Sequence, residues 1–246
     1  MKVLSIGNSF SQDSHRYLYA LAKTDGVDLK VVNLFIGGCS LRTHYLNMLD
    51  DMATYSFEFN GETTGIKVSI RQALISDEWD IITLQQASQF SWDFETYSPY
   101  IEELSNYIKK YCPNAKIVVH ETWAYENGSE RIKNLGLTNA EEMYSKLHTA
   151  YMQAAEKINA VGIIPCGTAM FKAAQLGVKV HRDQFHASFG FGRYLLALTW
   201  YAFLTGKDIS ENDFNELEEP LLENERKIAT QIASEVISSK LTLNCK

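Results

Sequence analysis

Residues 2–11 read KVLSIGNSFS, an apolar run followed by a glycine, an asparagine and a serine. Short apolar runs bounded by turn-forming residues are typical of buried β-strands. The predicted strand covers Lys2–Ile6, and Gly7-Asn8-Ser9 follows at its carboxyl end. A serine in such a loop is open to substrate, while the strand before it fixes its position. The segment therefore predicts the start of a sheet and a candidate nucleophile.

Four more apolar runs are predicted to be buried strands, each followed by a helical pattern: Leu29–Phe35, Trp79–Leu84, Lys116–His120 and Val161–Pro165. Their many β-branched residues suit strands that are covered on both faces. Strands that alternate with helices predict right-handed crossovers and a parallel sheet. The expected fold class is α/β, a three-layer α/β/α sandwich of flavodoxin-like kind with a parallel sheet of about five strands.

Three helices stand out between these strands. Ser14 to Lys23 has apolar residues at helical spacing, and Phe191 to Leu204 is apolar almost all round, which predicts a buried helix. Asn139 has Glu142 three residues later, a helix-start signature, and this helix is expected to run to about Lys157.

No linker or change of composition divides the chain, so residues 1–246 are expected to form a single domain. Two segments interrupt the strand–helix alternation. Residues 56–69 contain Asn60-Gly61 between β-forming residues, which predicts a small hairpin insertion. Residues 123–138 form a long polar connection, a length more typical of a functional loop than of a bare connector.

Composition and charge exclude several classes of protein. The net charge of −7 argues against nucleic-acid binding, which requires clustered lysine and arginine. No apolar run approaches the length of a membrane span. Four cysteines without C-x-x-C spacing give no sign of a disulfide framework or zinc site: Cys39, Cys112, Cys166 and Cys245. Met1 leads directly into the first strand, so a cytoplasmic protein is expected; a leader removed earlier would make it periplasmic or secreted.

A second polar block, Asp183-Gln184-Phe185-His186, lies far along the chain from Ser9. A serine hydroxyl is a poor nucleophile unless a base accepts its proton, and an imidazole is a good base when a carboxylate holds its tautomer. Asp-x-x-His supplies the base and its carboxylate on one short turn. Ser9, His186 and Asp183 together therefore predict serine-type hydrolysis.

The order of these blocks resembles the SGNH (GDSL-like) hydrolase superfamily from Val3 to about Gly206. In that family a Gly-Asp-Ser-like block follows the first strand, a glycine follows the second, and Asp-x-x-His lies near the C-terminus. Gly7-Asn8-Ser9 matches the first block with Asn in place of Asp, and Gly37-Gly38 falls where the second belongs. Asp183 to His186 matches the last. The resemblance implies Ser9 as nucleophile, His186 as base and Asp183 as its partner.

The resemblance also implies an oxyanion hole made of the Ser9 N–H, the Gly38 N–H and a side-chain amide. The family's usual Gly-x-Asn after the third strand is absent, and Gln85-Gln86 stand there instead. A glutamine amide donates the same kind of hydrogen bond as asparagine from a longer arm. Gln85 is preferred over Gln86, because strand alternation lets only one of them face the site.

Two other classes of function compete with this reading. His181, Asp183 and His186 contain two imidazoles and a carboxylate within six residues, a plausible ligand set for a metal-dependent hydrolase. A non-catalytic descendant that binds carbohydrate in the same cleft is the other alternative.

The favoured hypothesis is a serine esterase that needs no cofactor and removes a short acyl group, such as acetyl, from a carbohydrate or another polar carrier. The expected partner is a small-molecule or glycan ester. The sequence does not indicate an oligomeric state.

Overall fold

The computed structural model of the protein describes residues 1–239, so Cys245 lies outside the described residues. Seven strands form one sheet: β1 Lys2–Gly7, β2 Lys30–Phe35, β3 Tyr55–Phe59, β4 Glu62–Val68, β5 Ile81–Leu84, β6 Lys116–His120 and β7 Gly162–Ile164. Their order is β4-β3-β2-β1-β5-β6-β7. The α/β fold is as expected, but the sheet has seven strands and not about five.

The five predicted strands form the parallel part of the sheet, β2-β1-β5-β6-β7. The two additional strands, β3 and β4, form an antiparallel hairpin, and β3 pairs antiparallel with β2. Residues 55–68 therefore extend the sheet at one edge instead of lying on the surface apart from it. A hairpin's turn sequence predicts only its own two strands, since the edge that it joins is decided by tertiary packing.

Ten α-helices are described: α1 Ser9–His15, α2 Leu18–Thr24, α3 Leu41–Leu49, α4 Ile70–Leu74, α5 Tyr100–Tyr111, α6 Glu130–Asn134, α7 Ala140–Ile158, α8 Cys166–Gln175, α9 Phe191–Thr205 and α10 Glu223–Ser238. Helices α1, α2, α8 and α10 pack around α9, whereas α3, α4, α5 and α7 form a second group. The two groups cover the two faces of the sheet and give the three layers.

The predicted helices are found, with one difference at the N-terminal end. Asn139 caps α7 by accepting from the Glu142 backbone N–H at 2.8 Å, as its sequence indicates. Helix α9 is buried almost all round. The helix expected at 14–23 is divided at Arg16-Tyr17 into α1 and α2. Helix α1 begins earlier than expected because Asn8 and Ser11 form a capping box at its start.

The core lies on both faces of the parallel strands. All four residues of β5 are buried, and so are five of the six in β1. The cysteines Cys39, Cys112 and Cys166 are free and buried. No helix within residues 1–239 combines the length and the apolar character needed to cross a membrane.

Candidate active site

Ser9 is the first residue of α1 and lies directly after β1. The turn between them is tight, because the Ser11 side chain folds back to accept from the Asn8 N–H at 3.1 Å. A Cβ on Gly7 would lie 2.1 Å from the Ser11 Oγ, so the close approach requires glycine there. The Gly-Asn-Ser sequence thus places a half-buried hydroxyl at the carboxyl edge of the sheet, where ligands bind in open α/β folds.

The structure brings Ser9, His186 and Asp183 together. The Ser9 Oγ lies 2.8 Å from the His186 Nε2, and the His186 Nδ1 lies 2.7 Å from the Asp183 Oδ2. An ionised carboxylate only accepts hydrogen bonds, so Nδ1 carries the proton and Nε2 is free to accept from the serine hydroxyl. This is the tautomer that a general base requires.

Asp183 remains a carboxylate at mildly acidic pH. Its partial burial raises the pKa, but hydrogen bonds from the side chain and backbone N–H of His186 outweigh burial and hold the pKa below its usual range. The Asp183 Oδ1 accepts from the His186 backbone N–H at 2.8 Å. Asp183 therefore fixes both the backbone and the ring of His186.

The turn that carries Asp183 and His186 is closed by its own hydrogen bonds. The Arg182 N–H donates to the His186 carbonyl at 3.0 Å, and His181 and Ala187 form an isolated antiparallel bridge. Gln184 adopts a left-handed backbone with φ of 74° at the tip. A closed turn of this kind presents the imidazole and the carboxylate as one unit.

A buried network joins Gln85 to the residue before the serine. The Gln85 Nε2 donates to the Asn8 Oδ1 at 2.8 Å, and the Gln85 Oε1 lies 2.7 Å from the His120 Nδ1. Since Gln85 accepts there, His120 donates from Nδ1. Burial and the nearby His15 lower the pKa of His120 well below its ordinary value, so the ring is neutral. Asn8 in turn donates to the Cys39 carbonyl at 3.1 Å.

Gln86 does not fit the predicted role of oxyanion donor. Its Nε2 donates to the carbonyl and the hydroxyl of Thr96, at 3.0 and 3.1 Å, so both amide hydrogens are in use away from Ser9. Its Oε1 accepts from the Leu41 and Ala87 N–H groups. Strand alternation explains the difference, because consecutive side chains point to opposite faces. Gln85 is the glutamine whose amide lies beside the Gly-Asn-Ser turn.

Gly38 lies in the exposed loop that follows β2. Its φ of +63° is a left-handed conformation that favours glycine. Within residues 1–239 the Gly38 N–H donates to no other group, and Asn8 ties the loop to the Ser9 turn through the Cys39 carbonyl. Gly38 as an oxyanion donor stays a prediction.

The three residues of the alternative metal set point to different partners. The His181 Nε2 lies 3.0 Å from the Ala124 carbonyl, whereas His186 lies between Asp183 and Ser9. Among the described residues, no group of three or more His, Cys, Asp or Glu side chains converges as a ligand set.

Glu121, next to His120 on the chain, turns away from the serine. It is fully buried and accepts from the Thr168 N–H at 2.8 Å near the start of α8. His148 donates to the same carboxylate, with Nδ1 2.6 Å from Oε1. The hydrogen bond to Glu121 raises the pKa of His148, although burial opposes it.

An ordered stack of three side chains borders His186. The Phe185 and His186 ring centroids are 3.8 Å apart, and the Arg131 guanidinium lies 3.8 Å from the Phe185 centroid on a separate element, α6. Arg131 makes no ion pair with any described residue. Tyr125 packs edge-on against Phe185, and its hydroxyl lies 2.9 Å from the Ser88 Oγ.

The sequence predicts residues 123–138 as a functional loop but does not single out Arg131. A guanidinium that stacks on an aromatic ring leaves no local pattern, because its partner is distant in sequence. In the sequence His120 is only the last residue of a predicted strand, because its contact with Gln85 depends on two adjacent strands ending together.

The chain is similar to known proteins over almost its whole length. A family model described as a domain of unknown function, DUF4886, matches residues 2–235. The crystal structure of a DUF4886 family protein from Bacteroides uniformis ATCC 8492 is similar, with 33% identity and a TM-score of 0.90 over 99% of this chain and 97% of that one. The search of curated proteins found no match.

More distant solved structures share the fold. A proposed SGNH hydrolase from Slackia heliotrinireducens is 22% identical with a TM-score of 0.60, over 83% of this chain and 98% of that one. A lipolytic G-D-S-L family protein from Veillonella parvula DSM 2008 is 14% identical with a TM-score of 0.54, over 83% and 97%. The fold is that of the SGNH hydrolases.

Proposed function

The chain belongs to the DUF4886 family, and from the geometry of its site we propose that it is an SGNH-type serine hydrolase of carboxylic esters. The observation that carries the proposal is the continuous hydrogen-bonded series from the Ser9 Oγ through His186 to Asp183, with distances of 2.8 and 2.7 Å. Nucleophile, base and orienting carboxylate are each within hydrogen-bond reach of the next, as acyl transfer requires.

In the first half of the reaction, the Ser9 Oγ attacks the ester carbonyl carbon while the His186 Nε2 takes the hydroxyl proton. The Asp183 carboxylate stabilises the imidazolium that forms. Collapse of the tetrahedral intermediate breaks the bond to the leaving alcohol, which receives the proton from His186. The product of this half is an acyl-enzyme on Ser9.

In the second half, a water molecule gives a proton to His186 and attacks the acyl carbon. The carboxylic acid leaves, and Ser9 regains its proton. The oxyanion of each intermediate accepts from the Ser9 and Gly38 N–H groups. The Gln85 amide is proposed as the third donor, because one of its hydrogens binds Asn8 and the other has no partner within residues 1–239.

The proposed substrate is a short acyl ester, such as acetyl, on a carbohydrate or another polar carrier. The exposed Arg131 guanidinium, which lies on Phe185 beside His186, supports a polar carrier. Because stacking on Phe185 uses the face of the guanidinium, its in-plane N–H groups are left for an anionic group such as a sugar carboxylate.

The experiment compares hydrolysis of p-nitrophenyl acetate, butyrate and octanoate by the wild type, Ser9→Ala and Ser105→Ala, each with and without EDTA. Ser105 is a matched control, since it is buried on α5 and its hydroxyl has no partner among the described residues. Activity that is greatest with acetate and lost only in Ser9→Ala supports the proposal. Full activity in Ser9→Ala contradicts the proposal. If Ser9→Ala stays active and EDTA abolishes the activity, the enzyme is a metal-dependent hydrolase instead.

A further inference from the structure

Asp13 is a buried carboxylate in the helix that carries the candidate nucleophile. It has no exposed surface, and it follows Ser9 by four residues on α1. Residues four apart on a helix lie on the same face. Asp13 and Ser9 therefore both face the turn that carries His186. Asp13 has no step in the proposed reaction.

The contacts of Asp13 bracket that turn on both sides. The Arg182 guanidinium, just before Asp183, lies 2.9 Å from each carboxylate oxygen. The Ala187 N–H, just after His186, donates to the Asp13 Oδ2 at 3.1 Å. Arg182 also donates to the Ala187 carbonyl, which closes the turn at its base. One carboxylate thus holds both ends of the segment 182–187 against α1.

A second guanidinium holds the carboxylate itself. Arg193, in the first turn of α9, donates from Nε to the Asp13 Oδ1 at 2.9 Å, and its Nη1 binds Glu218. The Phe189 ring lies 4.8 Å from the Arg182 guanidinium and 4.7 Å from that of Arg193. The Asp13 charge is therefore compensated by two cations that an aromatic ring partly covers.

Stability alone does not account for this arrangement. Desolvation of buried charges offsets much of their attraction, and well-packed apolar residues stabilise a core as well or better. What apolar packing lacks is direction: a carboxylate with four hydrogen bonds permits one orientation of the groups around it. We infer that Asp13 is a positioning residue, which sets the distance between the Ser9 hydroxyl and the His186 imidazole by clamping the 182–187 turn to the nucleophile's own helix.

The clamp has a clear geometric consequence. The Ser9 Oγ to His186 Nε2 distance is 2.8 Å, and a hydrogen bond is largely lost when such a distance grows by 1 Å. Misplacement on this scale costs about 100-fold in rate. The kinetic part of the inference rests on the proposed function, whereas the structural part, a turn ordered by Asp13, does not.

The test compares Asp13→Asn with Glu218→Gln. Asparagine keeps the shape of Asp13 but cannot accept from the Ala187 N–H and both guanidiniums together. Glu218→Gln removes charge from the same network, through Arg193 and Arg16, without touching 182–187. It is the control for a general loss of stability. Arg182→Gln, a change at a half-buried side chain, serves if Asp13→Asn does not fold.

Two measurements separate the inference from the proposed function. Hydrogen exchange by mass spectrometry is expected to show faster exchange in 182–187 for Asp13→Asn and Arg182→Gln, with Glu218→Gln unchanged there. For p-nitrophenyl acetate, and for labelling by a fluorophosphonate, Asp13→Asn is expected to lower kcat and the labelling rate about 100-fold with KM unchanged.

The outcomes are distinct. Unchanged exchange in 182–187, or equal loss of kcat in Asp13→Asn and Glu218→Gln, overturns the inference. A wild type that hydrolyses no ester and takes no label contradicts the proposed function instead, and the exchange measurement still decides whether Asp13 orders the turn.

Discussion

The side-chain amide of Gln85 donates to the Asn8 Oδ1 at 2.8 Å, a hydrogen bond that links the ends of the neighbouring strands β5 and β1. Asn8 also caps α1 by accepting from the Phe10 N–H at 3.0 Å. Asn8, the residue before the candidate nucleophile, is therefore held by Gln85. Gln85 stands at the position where the resemblance to SGNH hydrolases implies an oxyanion donor. Gln85 therefore positions Asn8, and the proposed function gives the same side chain the role of oxyanion donor.

Substitution of the two glutamines separates their roles. Gln85→Leu is expected to lower kcat about 10²–10³-fold, the usual cost of an oxyanion donor. Gln86→Leu is expected to leave kcat near the wild-type value and to cost about 1–3 kcal/mol of stability, because the buried Leu41 and Ala87 N–H groups lose their acceptor. Steady-state kinetics and urea unfolding of both variants check this. Equal kinetic loss in the two would contradict the assignment.

Ser9 and His186 are expected to act as one unit. Ser9→Ala and His186→Ala should each lower kcat by about 10⁴-fold or more, and the double variant should be no worse than either single variant. The losses are not additive because the Ser9 hydroxyl is a poor nucleophile without His186, and His186 has no proton to accept without the Ser9 hydroxyl. Ester turnover with folding checked by circular dichroism measures the effect. Fully additive losses would mean that the two residues act in separate steps.

Stability is expected to fall steeply below pH 6.5, because the three most deeply buried histidines are neutral. Burial lowers the pKa of His15 and of His44 to about 3, and that of His120 well below its ordinary value. The unfolded chain binds these protons near pH 6.5, whereas the folded chain does not, so stability is full above that pH and lost as pH falls. Each histidine contributes about 1.4 kcal/mol per pH unit. Urea unfolding at pH 7.5 and 5.0 measures the loss.

Two variants test whether a single histidine raises or lowers the loss of stability between pH 7.5 and 5.0. His44→Phe keeps the ring that stacks on Tyr55 and should reduce the loss between pH 7.5 and 5.0 by about 2 kcal/mol. His148 is the opposite case, since its pKa is raised and its bond to Glu121 stabilises the fold at low pH and weakens as pH rises through that pKa. His148→Gln should therefore increase the loss. A change of the same sign in both variants would refute this account.

Arg131 is expected to select the charge of the carrier. Arg131→Gln should lower kcat/KM for an acetylated uronic acid about tenfold relative to the matching neutral sugar, the value of one charge-assisted hydrogen bond. Lys133→Gln is the control, since it removes the same charge from α6 at a side chain paired with Glu130. An equal decrease of kcat/KM for both esters would mean that Arg131 only packs against Phe185 and does not select the charge of the carrier.

The sequence predicted most of the fold because its signals are local. A buried parallel strand is a short β-branched run, and Asn139 with Glu142 marks a helix start within four residues. The addition of β3 and β4 to the edge of the sheet could not be predicted, since pairing of β3 with β2 depends on packing beyond the hairpin. The sequence likewise does not mark the division between α1 and α2, where Tyr17 donates from its hydroxyl to the distant Phe189 carbonyl at 2.6 Å.

The candidate site, like the fold, is predictable only where its residues form local sequence motifs. Ser9 and the Asp183–His186 turn have local motifs, and the structure brings them within hydrogen-bond distance. Asp13 has none, because its guanidinium partners lie 169 and 180 residues away. The partner of Gln86 is likewise not predictable from the sequence, because Thr96 lies ten residues later in a short 3-10 helix that no local motif marks.

The sequence separation of 177 between Ser9 and His186 has a consequence for a chain that is synthesised from its N-terminus. Ser9 leaves the ribosome long before His186, so the proposed catalytic triad cannot assemble until seven strands and most helices have been synthesised. Under the proposed function, catalysis would therefore begin only after the chain has folded completely. By the same reasoning, a cut within residues 123–138 would yield two inert fragments, and ester turnover on mixing them would report their reassembly.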